Sequence, residues 1–287
     1  MGQMKKVVVL GCKGMAGHVV KAYLEITSNY DVWGIARGVE PEENLINLDV
    51  SNTKELKNIF TNANFDVVIN CIGLLNKTAE DNPELAVWFN SYFPQLLASY
   101  GRKYNFKLVH ISTDCVFSGK EGGYTEDSFK NGIGFYAQSK ALGEVVNTKD
   151  LTFRTSIIGP ELKQNGIGLF HWFMNQEDSI KGFSKAIWSG VTTLELAKAI
   201  FWAIENDLTG LYHLTNNETI NKYELLNLFK KYTKKYVKII EVEGKKVNKS
   251  FIDTRKLIDY NIPNYETMIA EMFEFINKNQ NAYIHYF

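Results

Sequence analysis

A chain of 287 residues is long enough to bury a substantial core, either as one large α/β unit or as a main domain with a smaller appendage. Its 32 lysines and arginines balance 32 aspartates and glutamates, so no bulk charge recruits nucleic acid or an anionic membrane, and small ligands are the expected partners. No apolar run approaches the roughly 20 residues that span a bilayer. Cys12, Cys71 and Cys115 are odd in number, lack metal-ligand spacing and sit in apolar, strand-like surroundings. That fits reduced thiols in a cytoplasmic protein better than a disulfide framework or a metal site. The start, Met1 to Lys6, leads into a strand with no signal-peptide apolar region, and Met4 is an alternative natural start.

The run Val7-Val8-Val9-Leu10 is continuous and β-branched, as expected of a strand covered on both faces. It is followed at once by Gly11-Cys12-Lys13-Gly14-Met15-Ala16-Gly17 and then by a helical pattern through Val19, Val20, Tyr23, Leu24 and Ile26. In a strand-turn-helix setting such a glycine pattern has a mechanism. Small residues permit the tight turn, let backbone amides approach a pyrophosphate, and bring the positive helix N-terminus onto the phosphates. Gly11, Lys13, Gly14, Met15 and Gly17 are therefore candidate dinucleotide contacts. A second strand, Asp31 to Ala36, ends at Arg37-Gly38 with no carboxylate nearby. An acidic residue there suits the ribose 2′-hydroxyl of NAD and an arginine suits a 2′-phosphate, so Arg37 favours NADPH, with NADH as the other option.

Residues 45–50 read as a short third strand, with Asp49 placed to meet the adenine and Val50 assigned to the cofactor beside it. A helix follows from Thr53 to about Phe60. The fourth strand, residues 65–73, ends in Cys71, Ile72 and Gly73, which are assigned to the wall of the cofactor site. A long amphipathic segment, 83–104, carries a further cofactor candidate, Asn90. Strand five, 107–111, ends at Ser112-Thr113-Asp114, and strand six, 151–158, is closed by Gly159-Pro160. Strands alternating with helices predict a Rossmann-type, doubly wound parallel sheet with ligands at the strands' carboxyl ends, where every candidate so far except Asn90 lies.

After Pro160 the rhythm loosens. Residues 170–174 form a dense aromatic cluster, and residues 188–193 precede a helix over 194–204 with a threonine cap. Short strands at 211–214 and 237–240 bracket a helix over 222–234, and a final helix runs over 265–277. The expected organisation is a dinucleotide-binding domain over 1–160, joined by the helix within 192–206, and a smaller substrate-binding α/β lid over 161–287. The cluster Lys230, Lys231, Lys234 and Lys235 reads as a solvated helix face.

One stretch organises the rest. Tyr136-Ala137-Gln138-Ser139-Lys140 places a phenol and an ammonium four residues apart where a helix begins, so both polar heads share one helix face. With 15 tyrosines and 28 lysines (32 basic residues minus Arg37, Arg102, Arg154 and Arg255), one or two such pairs are expected by chance, and this is the only one present.

Together the glycine turn, the Ser-Thr-Asp at strand five and the Tyr-x-x-x-Lys resemble an extended short-chain dehydrogenase/reductase, and within that group the dTDP-4-dehydrorhamnose reductase branch. The branch pattern Ser-Thr-Asp-aromatic-Val-Phe-x-Gly appears as Ser112-Thr113-Asp114-Cys115-Val116-Phe117-Ser118-Gly119. Tyr-Gly-x-(Ser/Thr)-Lys-x-x-Gly-Glu appears as residues 136–144, and Arg-Thr-Ser as Arg154-Thr155-Ser156. The resemblance covers the first 160 residues well and the remainder loosely. It implies a reductase of the 4-keto group of a nucleotide-linked 6-deoxy-hexose, in surface-polysaccharide precursor synthesis. Tyr136 would be the acid, Lys140 its partner and a holder of the nicotinamide ribose, and Thr113 the donor to the substrate carbonyl. Ser112 falls beside the cofactor, and Asp114, Cys115, Val116, Tyr136 and Trp188 face the sugar.

Two departures bear on the sugar. Cys115 replaces the aromatic residue, and the loop Asn70-Cys71-Ile72-Gly73-Leu74-Leu75-Asn76 is unlike the usual version. The substrate is thus open between dTDP-4-dehydrorhamnose and a UDP-linked 4-keto-6-deoxy-N-acetylhexosamine. Cys115 also stands where nucleotide-sugar dehydratases carry a glutamate for elimination, which argues against that chemistry. Two alternatives remain: an epimerase of the same superfamily, and a non-catalytic NADP-binding regulatory subunit of the kind that serves methionine adenosyltransferase. A monomer or a homodimer is expected.

A free phenol, pKa about 10, is a sluggish acid near neutrality. A cation about 4 Å away at an effective dielectric near 20 contributes on the order of 4 kcal/mol, about three pK units, with burial of the phenol working the other way.

Overall fold

A computed structural model describes residues 4–256 and 259–287. Met1 to Gln3, which precede the alternative start at Met4, lie outside the described residues. In chain order the first elements are β1 (Lys6–Leu10), α1 (Met15–Thr27), β2 (Asp31–Ala36), β3 (Leu45–Asn47), α2 (Thr53–Ala63), β4 (Val67–Asn70) and α3 (Asn76–Asp81). A continuous helical run follows, made of α4 (Pro83–Ala86), a π-helical turn (Val87–Tyr92) and α5 (Phe93–Tyr104). Next come β5 (Lys107–Thr113), α6 (Phe135–Leu142), β6 (Leu151–Thr155), β7 (Ile157–Ile158), α7 (Leu169–Met174), β8 (Ser179–Phe183), β9 (Ala186–Trp188) and β10 (Val191–Thr192). The chain ends with α8 (Thr193–Glu205), β11 (Gly210–His213), β12 (Ile220–Asn221), α9 (Lys222–Thr233), β13 (Lys238–Val242), β14 (Val247–Asn248) and α10 (Tyr265–Lys278).

The main sheet has seven strands in the order β11-β6-β5-β4-β1-β2-β3, the doubly wound order that the alternation of elements predicts. Neighbours β1 and β2, β1 and β4, β2 and β3, and β4 and β5 pair in parallel. Val7 to Leu10 are all buried, which explains why β1 reads as an unbroken apolar run rather than an alternating one. Between the sheet and α2 and α5, Leu10, Leu56, Phe60, Val68, Leu97 and Leu108 form the core that holds the strand ends in register.

The chain forms two compact units, and both are discontinuous. Unit 1 takes residues up to Ser112, Ile133–Phe153 and Ala197–Leu211; unit 2 takes Thr113–Gly132, Arg154–Leu196 and Tyr212–Phe287. The sequence alone suggests a break near residue 160 with the helix within 192–206 returning to the first part; Ala197–Leu211 do group with unit 1, while residues 113–132 and 154–160 group with the C-terminal part.

The physical reason in unit 2 is a buried polar network centred on Arg154, 2% exposed. Its Nη1 donates to His213 Nε2 at 2.7 Å and to the Glu126 carbonyl at 3.4 Å. Because an arginine can only donate, His213 is neutral and its Nδ1–H donates to the Ile252 carbonyl at 3.0 Å. The Glu126 carboxylate accepts from the His213 amide at 3.0 Å and from the Thr254 amide at 3.2 Å and hydroxyl at 2.5 Å. Burial pushes that carboxyl up, but the Thr254 and His213 bonds outweigh it and hold it below the usual carboxylate range. Segments 126, 154, 213 and 252–254 are thereby tied to one another. Three small sheets complete the unit: β10-β7, β12-β9-β14 and β13-β8.

Several sequence expectations change. The sixth strand, expected over 151–158, breaks at Ser156 into β6 and β7, which belong to different sheets. At the break Ser156 serves other segments: its carbonyl accepts from the Val191 amide at 3.0 Å and its hydroxyl from Trp188 Nε1 at 2.7 Å. The third strand stops at Asn47 rather than Val50, since the Asp49 carboxylate turns the chain by accepting the Ser51 amide at 3.0 Å. The aromatic cluster at 170–174 lies in the short helix α7, with Phe170 and Phe173 buried against Phe229 of α9.

Candidate active site

The glycine turn is built by backbone meeting backbone. Gly11 has φ +76°, a left-handed conformation that favours glycine, and its amide donates to the Ile35 carbonyl at 2.9 Å. A Cβ added at Gly17 would lie 2.3 Å from the Gly11 oxygen, so α1 packs onto the turn only because that atom is missing. The N-cap of α1, Gly14, has no side chain with which to cap, so the first-turn amides are left open to a ligand. His18 braces the turn: its Nδ1 donates to the Gly14 carbonyl at 2.8 Å, and burial lowers its pKa to about 4, so the ring is neutral. Lys13 is exposed and Met15 half-buried on the same turn. The features fit a dinucleotide pyrophosphate: a tight turn that a side chain would obstruct, open amides and a helix N-terminus.

At the ends of β2 and β3, Arg37 Nη1 lies 3.5 Å from Asp49 Oδ2, with both side chains exposed. The Asp49 carboxyl is lowered first by the Ser51 amide and hydroxyl bonds and then by Arg37. An exposed guanidinium at this strand end suits a 2′-phosphate, and the Asp49 pair orients it. Val50 points into the core, 4% exposed, so its backbone rather than its side chain would face a ligand.

The Tyr136-Lys140 pair sits on α6 as its spacing predicts. The Glu80 carboxylate caps this helix, accepting the Phe135 and Tyr136 amides at 3.1 Å each. That places a negative charge on the positive end of the helix. Tyr136 is half-buried; Lys140 is 4% exposed and its Nζ donates to the Ile111 carbonyl of β5 at 2.7 Å. A Cβ on Gly73 would stand 3.9 Å from the same Nζ, so the ammonium lies beside the Cys71-Ile72-Gly73 segment at the end of β4. Burial pushes the Lys140 ammonium down to about 8, against the upward pull of Glu144 and Cys71, so it remains mostly charged at neutral pH.

Asn90 lies in the π-helical turn, a feature that often marks functional sites. Fully buried, it accepts the Leu74 amide at 2.8 Å and donates to the Leu74 carbonyl at 2.9 Å and to Ser139 Oγ at 3.1 Å. It ties the Cys71-Ile72-Gly73 loop to α6. A Cβ on Gly143 would fall 1.8 Å from the Asn90 carbonyl oxygen, so the end of α6 meets the π turn backbone to backbone. Ser112 Oγ donates to Glu144 Oε1 at 2.8 Å, which fixes the end of β5 to the segment after α6.

In unit 2, Thr113 Oγ1 accepts the Cys115 amide at 3.2 Å and donates to Asp114 Oδ1 at 3.1 Å. Val116 is fully buried and Cys115 half-buried. Trp188 Nε1 donates to Ser156 Oγ at 2.7 Å, and its ring lies 5.6 Å from that of Tyr265. The sequence reading misses Glu80, Glu144 and Lys249, whose Nζ donates to Cys115 Sγ at 3.1 Å. Glu144 had a signal, since it closes the Lys-x-x-Gly-Glu pattern. Lys249 stands 134 positions from Cys115, and nothing local marks it.

Comparison with known proteins returns a consistent set. The family model described as "RmlD substrate binding domain" matches residues 4–255. The spore coat polysaccharide biosynthesis protein SpsK of Bacillus subtilis (strain 168) is 26% identical over 227 residues, covering 77% of each chain. A dTDP-4-dehydrorhamnose reductase of Aggregatibacter actinomycetemcomitans is 24% identical over 236 residues, covering 77% of this chain and 76% of its own. Among solved structures, a dTDP-4-dehydrorhamnose reductase from Bacillus anthracis str. Ames in complex with NADP superposes with a TM-score of 0.80 over 95% of this chain and 100% of that one. At 21% sequence identity that likeness speaks for the fold.

Proposed function

This chain belongs to the RmlD substrate binding domain family, and on that premise we propose that it is an NADPH-dependent reductase of the 4-keto group of a nucleotide-linked 6-deoxy-hexose. Its place is then in cytoplasmic synthesis of surface-polysaccharide precursors; among the described residues no helix is long and apolar enough to cross a membrane. Unit 1 takes the dinucleotide and unit 2 the sugar. The chain works as a monomer or homodimer.

The observation that carries the reading is the buried Lys140 ammonium, held on the Ile111 carbonyl at 2.7 Å, one helical turn from Tyr136 at the carboxyl ends of a parallel sheet. NADPH, when bound, supplies the hydride. Gly11, Gly14 and Gly17 hold its pyrophosphate, and Arg37 its 2′-phosphate. Lys140 keeps its charge at neutral pH, lowers the cost of phenolate formation at Tyr136 and donates to the nicotinamide ribose. Tyr136 gives its proton to the oxygen that gains charge, and the Thr113 hydroxyl turns its one proton from Asp114 to donate to the same oxygen. Asn90 and Glu80 touch neither reactant and position α6. Asp114, Cys115, Val116 and Trp188 border the sugar.

The test follows NADPH absorbance with dTDP- and UDP-linked 4-keto-6-deoxy sugars side by side. Wild type consumes NADPH with one of them, and Tyr136→Phe loses at least about 100-fold in turnover at unchanged NADPH affinity, the scale of a general acid. No consumption with either sugar removes the reductase reading; near-normal turnover in the variant removes Tyr136 from its role.

A further inference from the structure

Within unit 2, β14 runs parallel to β9, and the Lys249 amide donates to the Ile187 carbonyl at 3.3 Å. This sets Lys249 beside the strand that ends at Trp188. Its aliphatic stem crosses Gly119, where an added Cβ would meet Lys249 Cγ at 2.9 Å, and its ammonium reaches Cys115 Sγ at 3.1 Å. That is the one hydrogen bond the ammonium makes within the described residues. A half-buried ammonium has three donors, and a thiol is a weak acceptor, so this environment leaves most of its hydrogen-bonding capacity for a ligand or solvent.

Asp114 is the second half of the pattern. Its carboxyl is 5% exposed, pushed up by burial and pulled back by the Lys249 charge. Lys249 in turn is held above the ordinary lysine range, because Cys115 and Asp114 outweigh the opposing effect of burial. The ammonium is bonded to Cys115, and the carboxylate belongs to the residue before it on the 3-10 turn Asp114–Val116, so a donor-only cation and an acceptor-only carboxylate flank one short turn at the end of β5. A carboxylated sugar would be repelled by Asp114, and a purely apolar substituent would satisfy neither group. A hydroxyl satisfies both, accepting from the ammonium and donating to the carboxylate.

Resting on the reductase reading of this site, we propose that Lys249 is a specificity-determining residue that, with Asp114, reads a hydroxyl on the sugar ring of an uncharged hexose next to the carbon being reduced. Lys249 acts on sugar binding and takes no part in holding the dinucleotide.

The test is calorimetric titration of NADPH-saturated protein with dTDP-rhamnose, UDP-N-acetylglucosamine, dTDP and UDP, for wild type, Lys249→Met and Lys249→Arg. Melting curves confirm folding, and Lys249→Gln replaces Lys249→Met if the latter is unstable. A charge-assisted hydrogen bond predicts about 10- to 100-fold weaker binding of the preferred sugar nucleotide in Lys249→Met. It also predicts near-wild-type binding in Lys249→Arg and no change for the free nucleoside diphosphate or for NADPH. Equal sugar-nucleotide affinity in wild type and Lys249→Met overturns the role of Lys249 and leaves the reductase reading standing. An equal loss for the free nucleoside diphosphate also overturns it, in favour of a phosphate contact. A wild-type protein that binds neither sugar nucleotide overturns this inference, while NADPH consumption with the 4-keto-6-deoxy sugars decides the reductase reading separately.

Discussion

In unit 1 the candidate residues are held by backbone lying on backbone, whereas in unit 2 they are held by side chains gathered around one buried arginine. The glycine turn and the end of α6 both depend on missing Cβ atoms: Gly17 against Gly11, and Gly143 against Asn90. The loop after β5 depends instead on Glu126, Arg154, His213 and Thr254, which come from four separated stretches. A surface made of backbone presents the same amides and carbonyls whatever ligand arrives, which suits a cofactor. A surface made of side chains can be changed one residue at a time, which suits a substrate that differs among relatives. Cys115 and Lys249 lie on that second kind of surface.

The comparison predicts unequal responses to substitution. The largest follows from Arg154→Met, which leaves His213 Nε2 without its donor inside a buried network; removing one member of such a set costs about 3–5 kcal/mol. Chemical denaturation should show that loss, and a loss below about 1 kcal/mol would mean that the network does not hold unit 2.

Gly17→Ala comes next. Alanine gains up to about 1 kcal/mol in helix propensity, but a Cβ 2.3 Å from the Gly11 oxygen forces the turn to move, and overpacking of this kind costs about 1–3 kcal/mol. The clash wins, so the variant should melt lower and bind NADPH about tenfold more weakly by fluorescence titration. Unchanged affinity would show that the turn does not carry the cofactor.

The smallest effect is the pH response of unit 1. Lys140 titrates at about 8, below the usual lysine range because it is buried. Its charge is therefore present below that pH and lost above it. Turnover of saturated enzyme should be level from about pH 6 to 7.5 and fall as pH rises through 8, by up to about tenfold by pH 9. A profile that climbs steadily to pH 10 would remove the ammonium from the acid's support.

How much could be read in advance follows the same division. The strands of the main sheet, α1, α6 and the glycine turn were legible because each is fixed by residues within about ten positions of one another. Even the Thr192 cap on α8 was, its hydroxyl accepting the Glu195 amide at 3.1 Å. The π-helical turn at Val87–Tyr92 was not, since its amphipathic pattern reads as an ordinary helix and only the clamp from Asn90 to Leu74 and Ser139 shows what the turn is for. The break of the sixth strand at Ser156 was hidden for a similar reason. The run is uniformly β-prone, and the partners that split it, Val191 and Trp188, lie more than thirty residues on.

The sequence by itself determined the doubly wound sheet and the phenol-ammonium pair on one helix face, because hydrophobic period, glycine placement and i,i+4 spacing act over short stretches of chain. Only the tertiary structure decided which groups surround that pair and which cation meets Cys115. Burial and hydrogen bonding between distant segments depend on where loops return, and no local pattern encodes that return.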